Sequence, residues 1–169
     1  MRIFTSYYGN RLLRGGDYYL VGISVGKYRF LKVDTYLTII APTWEMVKEL
    51  TDQSVYREAY FKILESVGVN KIRAAFEAFE TNKQIVLENQ QCKSVKTCRP
   101  IDKQANVNAT LSTNCLKPVV LLCYEDVSKV GQWCHRRMFA EWWENKTGEI
   151  IEELSDKPKA EIKSLFDEG

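Results

Sequence analysis

The chain has 169 residues, 45% of them hydrophobic and 27% charged, with a formal net charge of +2. That length fits one domain with a sizeable core, and the near-balanced charge excludes a global field that would draw the molecule onto nucleic acid or an acidic membrane. No apolar run approaches the roughly 20 residues of a bilayer-spanning helix, and the N-terminus lacks a signal peptide's regions, so a cytoplasmic protein without a membrane partner is expected.

In chain order, Arg2 to Tyr8 reads as a first strand ended by Gly9 and Asn10, and Leu12 to Gly16 as a loop. Tyr18 to Val25, rich in β-branched and aromatic residues, is the second strand, and Lys27 to Leu37 an irregular excursion. Thr38 to Ala41 leads to Pro42, after which Thr43 caps a helix running through Glu45, Val47 and Leu50. Tyr56, Tyr60, Ile63, Leu64 and Val67 then recur at helical spacing until Gly68. Asn70 is expected to cap a further helix, with Ile72, Phe76 and Phe79 on its apolar face.

Residues 88–114 are polar and show no apolar period, which reads as a surface insertion. A lid or partner-binding arm is the other reading, with Lys93, Lys96, Arg99 and Lys103 as its positive face. It holds no aromatic ring on which a base could stack. Pro118 to Cys123 is a continuous apolar run, the pattern of a strand buried on both faces. Cys134, Met138 and Trp142, with Phe139 and Trp143 beside them, form a helical stripe over 133–144, and Gly148 stops it.

Glu149 to Leu154 supplies a short last strand. The segment 157–169 reads as a terminal helix with Ile162, Leu165 and Phe166 on one side, docked on its own domain or offered to a protein partner. Strands alternating with helices predict an α/β fold: a single three-layer domain over 1–169, mainly parallel sheet flanked by helices.

The chain is organised around Leu121-Leu-Cys-Tyr-Glu125 and Cys134-His-Arg136. Glu125 falls at the carboxyl end of a strand and Cys134 to Arg136 in the first turn of a helix, the edge where open α/β sheets bind ligands and where helix N–H groups meet anions. These paired motifs resemble the signature of the domain-of-unknown-function-488 family of small intracellular α/β proteins. Phe4-Thr-Ser-Tyr-Tyr-Gly9, Ile23-Ser24 and Ala41-Pro-Thr-Trp-Glu-Met46 agree in order, so the resemblance spans roughly residues 2–66 and 118–153. The gap between Glu125 and Cys134 is longer than in that family, and 88–114 is an insertion relative to it. The resemblance implies the fold and the place of the site; the family's own activity is undefined.

Glu125 is the candidate general acid or base, against the plainer reading of a strand-end carboxylate paired with an arginine. Cys134 is the runner-up, as a nucleophile favoured by the helix N-terminus or simply as a small core residue. His135, directly adjacent in sequence, is expected to make a poor base for it. His135 and Arg136 read as anion holders, with Thr5, Ser6 and Tyr7 lining the same crevice, and Cys123 reads as structural.

The five cysteines, at 92, 98, 115, 123 and 134, include no Cys-x-x-Cys. Their odd number fits a reducing compartment, and adjacent Cys134 and His135 should diverge on a helix, so neither a metal nor a cofactor is expected. Gly-x-Gly-x-x-Gly, P-loop and Gly-x-Ser-x-Gly motifs are absent from the sequence. The expected function is an enzyme acting on a phosphate-bearing, nucleotide-like or nucleic-acid substrate, by N-glycosidic or base-modifying chemistry at Glu125. A non-catalytic module that senses an anion or nucleotide, or grips a protein through 88–114 or 157–169, is the alternative.

Overall fold

The computed structural model describes residues 1–79 and 117–154; the expected insertion 88–114 and terminal helix 157–169 lie outside them. The strands are Ile3–Tyr7 (β1), Tyr19–Gly22 (β2), Thr35–Tyr36 (β3), Val119–Cys123 (β4) and Glu152–Glu153 (β5). They form one sheet in the order β3-β2-β4-β1-β5, and every pairing is parallel. The apolar run therefore makes the middle strand, and all five of its residues are buried. Its register sets Ile3 opposite Val119 and Tyr7 opposite Cys123 on one side, and Tyr19 to Gly22 opposite Val119 to Leu122 on the other.

Two sequence expectations shift in this sheet. The second strand is shorter than Tyr18 to Val25, because after Gly22 the chain turns, with Ser24 Oγ donating to the Gly26 carbonyl at 2.8 Å. The expected irregular excursion over Lys27 to Leu37 contains β3, tied in where Asp34 N–H donates to the Leu20 carbonyl and the Asp34 carboxylate accepts from Leu20 N–H.

The helices are Trp44–Glu49 (α1), Gln53–Val67 (α2), residues 69–79 (α3) and His135–Thr147 (α4). Thr43 caps α1 as expected, its hydroxyl accepting from Met46 N–H at 3.2 Å. Asp52 caps α2 by accepting from the N–H groups of Ser54 and Val55, both at 2.9 Å. Asn70 does not cap α3; it lies inside the helix, and the Gly68 carbonyl accepts the first bond, from Ile72 N–H at 3.3 Å. Gly148 ends α4 in the left-handed conformation, at φ 74°, that a residue with a Cβ adopts only with strain.

The chain divides into two compact units, residues 1–73 with 117–169, and residues 74–116. Of the second unit only 74–79 are described, and there the Phe76 and Phe79 rings lie 6.3 Å apart.

In the first unit the sheet is covered on both faces. One cover is α4, packed against β1 and β4, with α2 packed on α4. Met138, Phe139, Trp142 and Trp143 bury the α4 stripe, each large apolar side chain contributing about 1.5–3 kcal/mol. The two indoles keep their N–H groups bonded at the rim, Trp142 to Glu65 and Trp143 to Glu149, both at 3.0 Å. On the other face Val120, Leu122, Leu20 and Tyr8 pack with Leu13 and with Tyr28, Leu31 and Val33. That cover is a 3₁₀ turn and an extended loop. No described helix is long and apolar enough to cross a membrane.

Candidate functional site

Side chains alternate along an extended strand, so Leu121, Cys123 and Glu125 leave β4 on one face, toward α4. The chain then makes a tight turn in which Asp126 accepts from Ser128 N–H at 3.1 Å and from Ser128 Oγ at 2.7 Å. It returns at Cys134, which is the N-cap of α4 and not a residue of its first turn. Its backbone is extended, at φ −151° and ψ 141°, so the divergence expected for neighbours on a helix does not apply.

As a result Cys134 and His135 converge. Cys134 Sγ donates to Glu125 Oε2 at 2.8 Å, and Cys123 Sγ donates to the same oxygen at 3.2 Å. His135 Nδ1 lies 3.5 Å from Cys123 Sγ and 3.9 Å from Cys134 Sγ. One donor atom from each of these four residues falls within 4.8 Å of all the others. Cys123, read from sequence as structural, belongs to this cluster. The signal for it was present: it stands two residues before Glu125 on an extended run.

The imidazole is fixed from behind. His135 Nε2 lies 3.0 Å from the Ile23 carbonyl oxygen, which can only accept, so Nε2 carries the hydrogen. In the neutral ring Nδ1 then presents its lone pair to the sulfurs. Tyr60 packs edge-on against the ring at 5.5 Å between centroids and is itself held by its hydroxyl, which donates to the Ile40 carbonyl at 2.6 Å.

Burial pushes the Glu125 carboxyl above its ordinary value, and the neighbouring Cys134 sulfur pushes it further. Burial, then Cys134 and Glu125, likewise hold the Cys123 thiol well above its usual value. Burial also opposes a charge on Cys134, but the Cys123 thiol, the His135 ring in its protonated form and the Arg136 charge outweigh it, and this thiol falls well below the usual value. With Cys134 Sγ and Glu125 Oε2 2.8 Å apart, a charge on one disfavours a charge on the other, so the two lose their protons as a pair and not independently.

The cluster forms the floor of a cleft of about 580 Å³ at the carboxyl end of the sheet. Trp44, Tyr56, Tyr124 and Trp133 are among its walls, with the Tyr56 and Trp133 rings 4.9 Å apart. No lysine or arginine lines it among the described residues.

The residues expected to hold an anion are placed elsewhere, His135 apart. Arg136 is wholly buried: Nη1 donates to the Glu125 main-chain carbonyl, and Nη2 donates to Glu153 Oε1 at 2.9 Å. Arg137 Nη1 donates to Thr5 Oγ1 and to the Ile151 carbonyl, both at 3.2 Å. Thr5 Oγ1 donates to Glu153 Oε2 at 2.6 Å, and Ser6 Oγ donates to the Leu154 carbonyl at 3.2 Å. Thr5, Ser6, Tyr7 and Arg136 do not line the cleft. Thr5, Ser6 and Arg136 instead fasten β5 and the strand-to-helix turn. The sequence pattern could not show this, because Glu153 reaches them from a strand of two residues.

Fold and site together define an α/β protein with an all-parallel sheet and a thiol–carboxylate–imidazole cluster beyond its central strand. No family model, curated protein or solved structure matches the chain.

Proposed function

We propose that the protein is an enzyme acting on a planar heterocycle, taken between the aromatic walls of the cleft, with Glu125 as the group that moves protons. The observation that carries this reading is the position of Glu125 Oε2, on two buried thiols and at the floor of the cleft. Polar groups gathered this way cost folding free energy, and their gathering in a cleft is a mark of function. Among the described residues no lysine or arginine pairs with the Glu125 carboxylate, which a purely structural role would favour.

In a hydrolytic step, water adds to the electrophilic carbon of the substrate and passes a proton to the Glu125 carboxylate. The resulting acid returns that proton to the leaving nitrogen as its bond to carbon breaks. Cleavage of an N-glycosidic bond and hydrolysis at a ring carbon both fit this scheme. A base-like ring suits the walls, since aromatic side chains stack on any heterocycle. The phosphate of a nucleotide finds no cation in the described lining, and a simple anion sensor is disfavoured for the same reason. We further propose membership of the domain-of-unknown-function-488 family, on the paired motifs, and a cytoplasmic place, on the free thiols of Cys123 and Cys134.

The test is a panel of nucleobases, nucleosides, nucleotides and inorganic phosphate, read by thermal stabilisation and by mass spectrometry of products. Ring compounds should stabilise the chain with or without phosphate, and Trp133→Ala should lose the response. Stabilisation by inorganic phosphate alone would overturn the reading.

A further inference from the structure

We propose that Cys123, Cys134 and His135 bind a zinc-type divalent cation, with the Glu125 carboxylate as the oxygen donor that completes the set. The donors are two sulfurs, one imidazole nitrogen and one carboxylate oxygen, all within 4.8 Å of one another. Zinc bonds of about 2.0–2.3 Å in a tetrahedral arrangement place neighbouring donors roughly 3.3–3.8 Å apart. The observed S···O and S···N distances run from 2.8 to 3.9 Å, so small adjustments bring the four atoms onto such a shell.

Three further features point the same way. The hydrogen bond from His135 Nε2 to the Ile23 carbonyl fixes the ring as metal-binding histidines are commonly fixed, leaving Nδ1 to ligate. Thiolate and imidazole donors select zinc-like ions over magnesium or calcium, which take oxygen ligands. The donors also sit on rigid elements, Cys123 at the end of β4 and Cys134 and His135 at the start of α4. Cys123 and Cys134 are each 2% exposed, whereas Glu125 is only half-buried and borders the cleft. The site is therefore shut on the thiol side and accessible on the carboxylate side, so the position that could exchange with water or substrate is the one Glu125 fills.

The inference rests on the reading of the cleft floor as the reaction centre, where such an ion would supply a Lewis acid once Glu125 gives up its place on it to move protons. Metal binding itself is measurable without any substrate. The full chain, purified under reducing conditions, is analysed for metal and loaded with Co(II) in place of Zn(II). About one ion per chain is expected, with the sulfur-to-cobalt charge-transfer absorption of two thiolates. Cys123→Ser and Cys134→Ser should each weaken that absorption and lower affinity by about 10–100-fold or more. Should a cysteine variant fail to fold, competition between the parent chain and a chromophoric zinc chelator still gives the affinity.

A parent chain that takes up Zn(II) and Co(II) no more tightly than Cys123→Ser would overturn the proposal. So would isolation of the reduced-lysate protein with a Cys123–Cys134 disulfide. Metal uptake without any response to ring compounds would uphold the site and sink the reading of the cleft. Turnover of a ring compound by a chain that takes up no metal would do the reverse.

Discussion

Arg136 Nη1 donates to the main-chain carbonyl of Glu125, while its Nε and Nη2 hold the carboxylate of Glu153. One wholly buried guanidinium thus joins the turn after β4 to the last strand and fixes where the Glu125 backbone stands. Arg136→Ala would leave the shielded Glu153 carboxylate with only the Thr5 hydroxyl and the more distant Arg137 guanidinium, at 4.0 Å, and should lower stability by about 3–5 kcal/mol in urea unfolding. Arg136→Lys should recover only part of this, because one ammonium cannot replace the planar fork. A loss below about 1 kcal/mol for the alanine variant would show that Thr5 and Arg137 hold Glu153 without it.

Tyr60 gives a second stability prediction, close to the site. Its ring is fully buried against His135 and its hydroxyl donates to the Ile40 carbonyl. Tyr60→Phe keeps the ring but strands that carbonyl, and should cost about 1–3 kcal/mol in chemical denaturation. An unchanged midpoint would mean that the carbonyl finds another donor.

Alkaline pH should destabilise the fold. Burial holds the Tyr8 and Tyr60 hydroxyls well above the ordinary tyrosine value of about 10. Above that value the unfolded chain releases phenolic protons that the folded chain keeps. The stability these groups contribute is therefore complete below about pH 10 and falls as pH rises toward their folded values. Urea midpoints at about pH 9 and about pH 11 measure this, and a higher midpoint at the more alkaline pH would refute it.

Gly22, at the end of β2, is a position where a methyl group has no room. A Cβ built there would lie 2.4 Å from the Tyr36 ring and 2.8 Å from the Tyr8 hydroxyl. That hydroxyl is 2.7 Å from Ser24 Oγ, so relief would disturb the chain leading into the cleft. Gly22→Ala should destabilise by about 1–3 kcal/mol, measured by thermal or chemical unfolding. Parent-like stability would show that Tyr36, on the edge strand, swings aside freely.

Much of the fold could be read from the residues, because the strongest patterns were physical necessities. Five buried residues in a row require a strand covered on both faces, and Val119–Cys123 proved to be the centre of the sheet. Thr43 and Gly148 carry the capping chemistry that their positions demand. The strand of Thr35 and Tyr36 was not visible, since two residues carry no alternation and its place depends on pairing with β2.

At the site the sequence placed Glu125 and Cys134 at a strand end and a helix start but did not show how their neighbours are arranged. Whether Cys134 and His135 diverge depends on one residue's backbone, extended at the cap instead of helical, and helix ends are uncertain by a residue or two. The surroundings of Arg136 were hidden for a different reason. Its partners, Glu153 and the Glu125 carbonyl, come from elements whose closeness only the tertiary structure sets.

The role given to Glu125 comes down to a single comparison. Glu125→Gln keeps the size of the side chain and its place at the cleft floor while removing the charge and the exchangeable carboxyl proton. A ring compound found to bind the parent chain is titrated into both proteins, and its conversion is followed at saturation. The variant should bind it within about threefold of the parent, because a group used in the transition state contributes little to ground-state binding. Its turnover should fall by about 10²–10⁴-fold. Turnover equal to the parent's, with binding intact, would move the chemistry off Glu125.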